Sequence, residues 1–445
     1  QDLKHCDDHL SLITRDQVSN HLAKAEDVVP PLQRDRTHPD QSPLQSYANF
    51  NLATIHPVKS RLILVFSLAV SMLMSISTPS HALITLPNSF LALAKAAALN
   101  NPGIVLMNPS TGEVIYSKNG SVPKAPASVM KLFSTTDAIQ TLGADKVFQT
   151  SGYTTSKKNK IVIIGSGDPW LTADSSDAKR LKQAFLPWLV TKAMSDSPGV
   201  RAISLEYKDL YAQDIEMLKK YFKGKYKLYP HKHSSTAELE AMSTAPVGTI
   251  TSPKLGDIVQ YTLLWSDNLI AARLAQISAR LKGLSTDSSG IDVSLKEMLT
   301  KMEIPTDDLN FVDGAGLSHD NRVTAETVVR LLKVIHSTPG LVDITAGLPT
   351  AGETGTLRHR FLKAGASAAG LVRAKTGWIN SSVALAGFVQ AGEEQYSFAI
   401  IASGLRNRES YRASARLAID KLLATIAKPY VAPALPVDTA TVSTL

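Results

Sequence analysis

The placement of the strand-like runs constrains this chain most, because they stand at opposite ends of its apolar region with helices between them. Gly103-Ile-Val-Leu-Met107 and Val114-Ile-Tyr116, joined through Asn108-Pro-Ser-Thr-Gly112, read as a β-hairpin. Val383 to Val389 and Ser397 to Ala402, parted by Gly392-Glu-Glu394, read as two more strands. Between them, Pro126 opens a helix that carries Met130, Phe133, Ile139 and Leu142 and closes at Gly143. Ile270, Leu274, Ile277 and Leu281 step by four, three and four residues, the period of an amphipathic helix. Thr324 caps another, and a last helix occupies about 409–427. This order defines a mixed α/β fold in which both ends of the chain feed one sheet.

From about 145 to 245 the texture changes. A short apolar strand (Ile161-Val-Ile-Ile164), a Gly165-Ser-Gly-Asp-Pro169 turn and a Lys/Tyr-rich stretch over 219–233 read as an inserted subdomain. The main domain is therefore expected over 83–144 and 246–428, with a disordered tail at 429–445. A chain of 445 residues that is 44% hydrophobic and 19% charged is not collagenous, coiled-coil or mostly disordered. A single cysteine, Cys6, excludes an intrachain disulfide framework and a Cys-based zinc site.

Leu62 to Ile76 is a 15-residue apolar run preceded by Lys59 and Arg61 and followed by Ser80-His81-Ala82, which reads as a secretory signal over 58–82, cleaved before Leu83. It is shorter than the roughly 20 residues that span a bilayer comfortably, a retained anchor being the alternative. The polar stretch 1–57 before it is out of place for a signal, and no Met precedes Met72, so Val58 is the expected start and 1–57 a non-native or disordered extension. The protein is thus expected outside the cytoplasmic membrane. Residues 1–82 hold 7 basic and 8 acidic residues, so the remainder, with 40 basic and 31 acidic residues, carries +9 against +8 for the whole chain. That charge suits an anionic partner, and no basic run points to nucleic acid.

Ser128-Val-Met-Lys131 puts a hydroxyl and an amine three residues apart at a helix start, within hydrogen-bonding reach. A neutral lysine there can take the serine proton. The spacing recurs at Ser121 to Lys124 and Ser176 to Lys179, so alone it says little. Ser266-Asp267-Asn268 follows 135 residues beyond Lys131, and Lys375-Thr376-Gly377 follows 109 residues beyond Ser266, at the mouth of an expected edge strand. The three in this order form the motif set of penicillin-binding proteins and class A β-lactamases.

Here the sequence resembles the D-alanyl-D-alanine carboxypeptidase/endopeptidase family, the class C low-molecular-mass penicillin-binding proteins. Pro126 to Lys131, Gly165 to Pro169, Asp313-Gly-Ala-Gly-Leu-Ser318, Gly355-Thr-Leu357 with Arg360, and Val372 through Phe388 carry the resemblance, which covers most of 100–405. It implies a β-lactamase/transpeptidase-like fold, an antiparallel sheet flanked by helices plus an all-α subdomain, with one reduced insertion. The implied activity is an exported serine carboxypeptidase that removes the terminal D-alanine of peptidoglycan stem peptides, with endopeptidase action on the same substrate class and β-lactams as covalent inhibitors. No metal or organic cofactor is implied.

By the same resemblance Ser128 is the acylated nucleophile and Lys131 its base, and Ser266 relays a proton to the leaving D-alanine. Asn268 holds the substrate amide, Lys375 and Thr376 bind the terminal carboxylate, and the N–H groups of Ser128 and position 378 form the oxyanion hole. Gly377 permits close backbone approach. Trp378 departs from the Thr or Ser usual there, so one hydroxyl is lost and a bulky ring flanks the site. A β-lactamase is the enzymatic alternative, disfavoured because no Glu-x-x-Leu-Asn loop is present, and a slow wall-binding or β-lactam-sensing protein is the other. His231-Lys-His233 reads as a solvated loop before a metal site. Asp168 reads as a turn, and Lys219, Lys220, Lys223, Lys225 and Lys227 as a solvated face before a grip on anionic glycan or membrane.

Overall fold

The computed structural model describes residues 85–431. The expected extension at 1–57, the signal at 58–82 and the tail beyond Val431 lie outside the described residues. Among the described residues no helix is long and apolar enough to cross a membrane.

Both ends of the chain meet in one five-stranded antiparallel sheet. Its order is Val372–Ile379, Ser382–Ala391, Glu394–Ser403, Gly103–Met107, Val114–Lys118, so the hairpin near the start pairs with the last strand, Ile104 opposite Ile400. Alternation along these strands sends side chains to two cores. Val105, Met107, Ala384, Ala386, Ala399 and Ile401 face the helices Lys131–Leu142, Leu255–Trp265, Asn268–Leu281 and Ala325–Ser337. Ile104, Leu106, Val383, Leu385, Phe398 and Ile400 face the terminal helices Asn88–Leu93 and Glu409–Ala424. The result is helix, sheet, helix, in which the helix Lys131–Leu142 is central: every residue from Lys131 to Ile139 is buried.

Residues 147–254 build a second five-stranded sheet with a core of its own. Three of its strands, Lys160–Ile164, Ala202–Lys208 and Lys227–Lys232, run parallel, while Val147–Thr155 pairs antiparallel with both Lys160–Ile164 and Ser243–Lys254. The helices Leu186–Ala193 and Ala212–Tyr221 cover it. Its last strand runs to Lys254, past the boundary at 245 read from the sequence, because Ser243–Lys254 alternates exposed and buried residues too irregularly to announce a strand. His233 is bonded to Glu206 and Glu238 rather than grouped with His231.

Candidate active site

Ser128 stands on a strained turn. Pro126 and then Ala127, which takes the left-handed φ of +50°, turn the chain into a single 3₁₀ turn, Ala127–Met130, before the α-helix proper begins at Lys131. A non-glycine residue in that region is costly and is held by what surrounds it. Here Ser382 Oγ donates to Ala125 O at 2.6 Å, tying the segment to the sheet. A 3₁₀ turn eclipses positions i and i+3, and Lys131 Nζ accordingly donates to Ser128 Oγ at 2.8 Å.

Lys131 is fully buried. Its amine also donates to Asn268 Oδ1 and to Ala315 O, both at 2.7 Å. Burial brings it down from its ordinary value to about 7, against the pull of Asp267 and Asp313. A lysine so placed is half deprotonated near neutrality, and its neutral form keeps two N–H donors for Asn268 and Ala315 while its lone pair faces the serine.

Asn268 opens its helix, whose first turn is capped by Asp267 accepting from Ile270 N at 2.9 Å. Ser266 just before it adopts φ +61° as the left-handed end of the helix Leu255–Trp265, which swings its hydroxyl to Lys375. Lys375 Nζ donates to Ser266 Oγ at 2.8 Å and to Thr376 O at 2.9 Å. This amine too is fully buried, and burial first and Lys131 second hold it well below its ordinary value.

The edge strand Val372–Ile379 closes the site. Its outer edge is bonded by Ala374 N donating to Pro349 O, so the two-residue alternation turns the N–H of Trp378 outward as well, away from the paired strand. A Cβ at Gly377 would stand 2.7 Å from Pro126 O and 3.2 Å from Ala127 Cβ, so only glycine lets this strand approach the turn of Ser128. The Trp378 ring packs against the core under Glu409–Ala424, with the guanidinium groups of Arg412 and Arg416 at 5.5 and 5.1 Å from its centroid.

Every sequence-predicted site residue therefore lies in one of two hydrogen-bonded groups, Ser128–Lys131–Asn268 and Ser266–Lys375–Thr376, or on the strand that borders them. Two participants were not read from the sequence. The Ala315 carbonyl is aimed at Lys131 by Asp313, whose carboxylate accepts the N–H groups of Ala315, Gly316, Leu317 and Ser318. Thr356, on a 3₁₀ turn over Gly355–Leu357, places its Oγ1 2.9 Å from that of Thr376. The only sequence signals for them were the blocks Asp313 to Ser318 and Gly355 to Leu357.

The sheet, the central helix and two buried lysines, each bonded to a serine hydroxyl, are those of the β-lactamase/transpeptidase-like fold. The chain belongs to the D-Ala-D-Ala carboxypeptidase 3 (S13) family, which it matches over residues 91–209 and 232–426. It is 27% identical to carboxypeptidase DacB of Mycolicibacterium smegmatis, an alignment that covers 76% of this chain and 83% of that one. It is 24% identical to a D-alanyl-D-alanine carboxypeptidase of an Actinomadura species, over 68% and 77% of the two chains. Penicillin binding protein 4 of Haemophilus influenzae shares the fold with a TM-score of 0.57 at 16% identity, covering 76% of this chain and all of that one.

Proposed function

We propose that Ser128 is the nucleophile, that Lys131 is its general base, and that the substrate is the D-Ala-D-Ala end of a peptidoglycan stem peptide. One observation carries this reading: a fully buried amine, brought down to about 7, lies 2.8 Å from a hydroxyl. Neutral Lys131 takes the Ser128 proton as Oγ bonds the carbonyl carbon of the penultimate D-alanine. The oxyanion is received by the N–H groups of Ser128 and Trp378, each such donor contributing roughly 3 to 4 kcal/mol. Ser266, bonded to Lys375, delivers a proton to the departing amine and is reprotonated by the proton Lys131 took from Ser128, so D-alanine leaves with Lys131 neutral again. Water then attacks the ester with Lys131 again as base, which restores Ser128. Asn268 orients the substrate amide, and Lys375 and Thr376 meet its terminal carboxylate.

A β-lactam carries the same carboxylate and acyl carbon, so it acylates Ser128 as a substrate mimic. A β-lactam complex of the Haemophilus protein supports this reading. Such a substrate lies outside the cytoplasmic membrane, where the protein acts. The cleft lined by Arg201, Lys219, Lys223, Lys225 and Lys227 on the second sheet offers cations to an anionic wall polymer. Mass spectrometry of the protein with penicillin, beside Ser128→Ala, tests the reading together with D-alanine release from diacetyl-lysyl-D-Ala-D-Ala. A stable adduct on Ser128 with D-alanine released is expected. Rapid turnover of the adduct would instead indicate a lactamase, and absence of any adduct would refute the proposal.

A further inference from the structure

Trp378 leaves the carboxylate end of the site one hydroxyl short, and the structure places another hydroxyl beside the gap. Thr376 and Trp378 share a face of the edge strand, opposite Leu385 and Val383. The tryptophan offers no O–H, and its ring is occupied by Arg412 and Arg416. Thr356 approaches Thr376 from a separate turn, with 2.9 Å between the two Oγ1 atoms.

We propose that Thr356 is a carboxylate-binding residue of this enzyme, supplying the O–H donor that position 378 lacks. The assignment rests on the acyl-enzyme reading above. Its first support is a count of donors. A protonated Lys375 has three N–H groups, of which Ser266 Oγ and Thr376 O take two, and Thr376 Oγ1 lies 3.5 Å away at the long limit for the third. At most one is left for a carboxylate that has about four lone-pair sites to satisfy. In the Thr356–Thr376 pair one O–H donates to the other oxygen, so the second O–H is unspent. Among the described residues neither hydroxyl has a further acceptor. An anion bridging the pair takes both donors at once, which a neutral substrate end does not do as strongly.

The second support is that the turn is built to hold Thr356 in place. Gly355 has φ +51°, and a Cβ there would stand 2.3 Å from Leu264 O. The turn is thus pressed onto the last residues of the helix that presents Ser266. Thr350 N donates to Thr354 Oγ1 at 2.8 Å, fixing the approach to Gly355. The hydroxyl is positioned from the same helix end and the same strand that position Ser266, Lys375 and Thr376.

The test compares the enzyme's kcat/KM for a D-Ala-D-Ala peptide with a free C-terminal carboxylate and for its methyl ester. In Thr356→Ala the ratio of acid to ester should fall about tenfold or more, the usual cost of a hydrogen bond to a charged group, mainly through KM. Thr356→Ser should restore it, and Trp378→Thr in the Thr356→Ala background should recover part of it. Equal loss on acid and ester would make Thr356 a merely structural residue and overturn the assignment, as would an unchanged ratio. A wild-type protein inert to both peptides and to penicillin would refute the acyl-enzyme reading itself and this assignment with it.

Discussion

The active site and the second sheet both bury charged side chains, and they treat them in opposite ways. Lys131 and Lys375 are fully buried against neutral oxygens: two hydroxyls, an amide and two backbone carbonyls. Where the second sheet meets the helix Asn268–Leu281, Arg273 is buried as deeply but bonded to the Asp214 carboxylate and to Pro169 O and Leu171 O. Glu206, inside that sheet, is held by Lys160, His233 and Ser204. Asp168, against the same arginine, is the exception. Burial pushes it up to about 7, with the Trp170 N–H and Arg273 opposing, and its Oδ2 has no partner among the described residues. A cation without a carboxylate gives up its proton readily, which a general base requires. A paired one stays charged and fixes geometry.

Replacing Lys131 breaks the comparison most severely. Lys131→Met should slow acylation by penicillin by about 10² to 10⁴-fold, the usual contribution of a positioned base. The melting temperature should fall only modestly, because no ion pair is lost and a desolvated amine is replaced by an apolar chain of similar length, which offsets the donor that Asn268 Oδ1 and Ala315 O lose. A large drop in stability would show that Lys131 serves the fold rather than the chemistry.

Asp214→Ala should do the reverse. It strands Arg273 in the core, and loss of one partner of a buried pair costs about 3 to 5 kcal/mol. Denaturant unfolding should show this while the acylation rate of the folded fraction changes little. Because Arg273 lies on the helix that begins with Asn268, a matching fall in rate would mean that the junction sets the site's geometry and that the two regions are not separable.

The pH response follows from Lys131 with a definite sign. As the proposed base, Lys131 would act when neutral, so acylation should rise with pH below about 7 and level off above it. Stability moves the same way: between about 7 and the ordinary value of 10.5 the unfolded chain holds a proton that the folded chain has released, so stability gains with pH across that window. Lys131→Met should lack this gain, measured as the difference between the two unfolding profiles. A flat difference would place the pKa of Lys131 near that of a free lysine.

These contrasts also mark what the sequence discloses. Ser128, Lys131, Ser266, Asn268 and Lys375 were legible because their side chains are named by the motif, and the first sheet because its strands are apolar and regular. The Ala315 carbonyl was not, since every residue has one and only the Asp313 loop decides which is aimed at Lys131. Thr356 depends on a turn meeting a strand across the fold. Of the parallel strands of the second sheet, Lys160–Ile164 was legible as an apolar run, whereas Ala202–Lys208, Ala-Ile-Ser-Leu-Glu-Tyr-Lys, was hidden: it buries Glu206 among its apolar residues, so polarity there does not report which face is inside.

Glu206 gives the smallest effect and the finest test. Burial works to raise its carboxyl, but hydrogen bonds from Lys160, His233 and Ser204 outweigh it and bring the group down to about 2. A carboxyl lowered on folding stabilises above its ordinary value near 4.5 and loses that contribution as pH falls through about 2. The side chains of Lys160 and His233 are 27% and 20% exposed, so water screens the pair far more than it does Arg273 and Asp214. Glu206→Gln should accordingly cost about 1 kcal/mol at neutral pH, near the upper end for solvated pairs, and much less near pH 2. A cost as large as that of Asp214→Ala would mean that burial of the carboxylate, and not the exposure of its partners, sets what an ion pair contributes in this sheet.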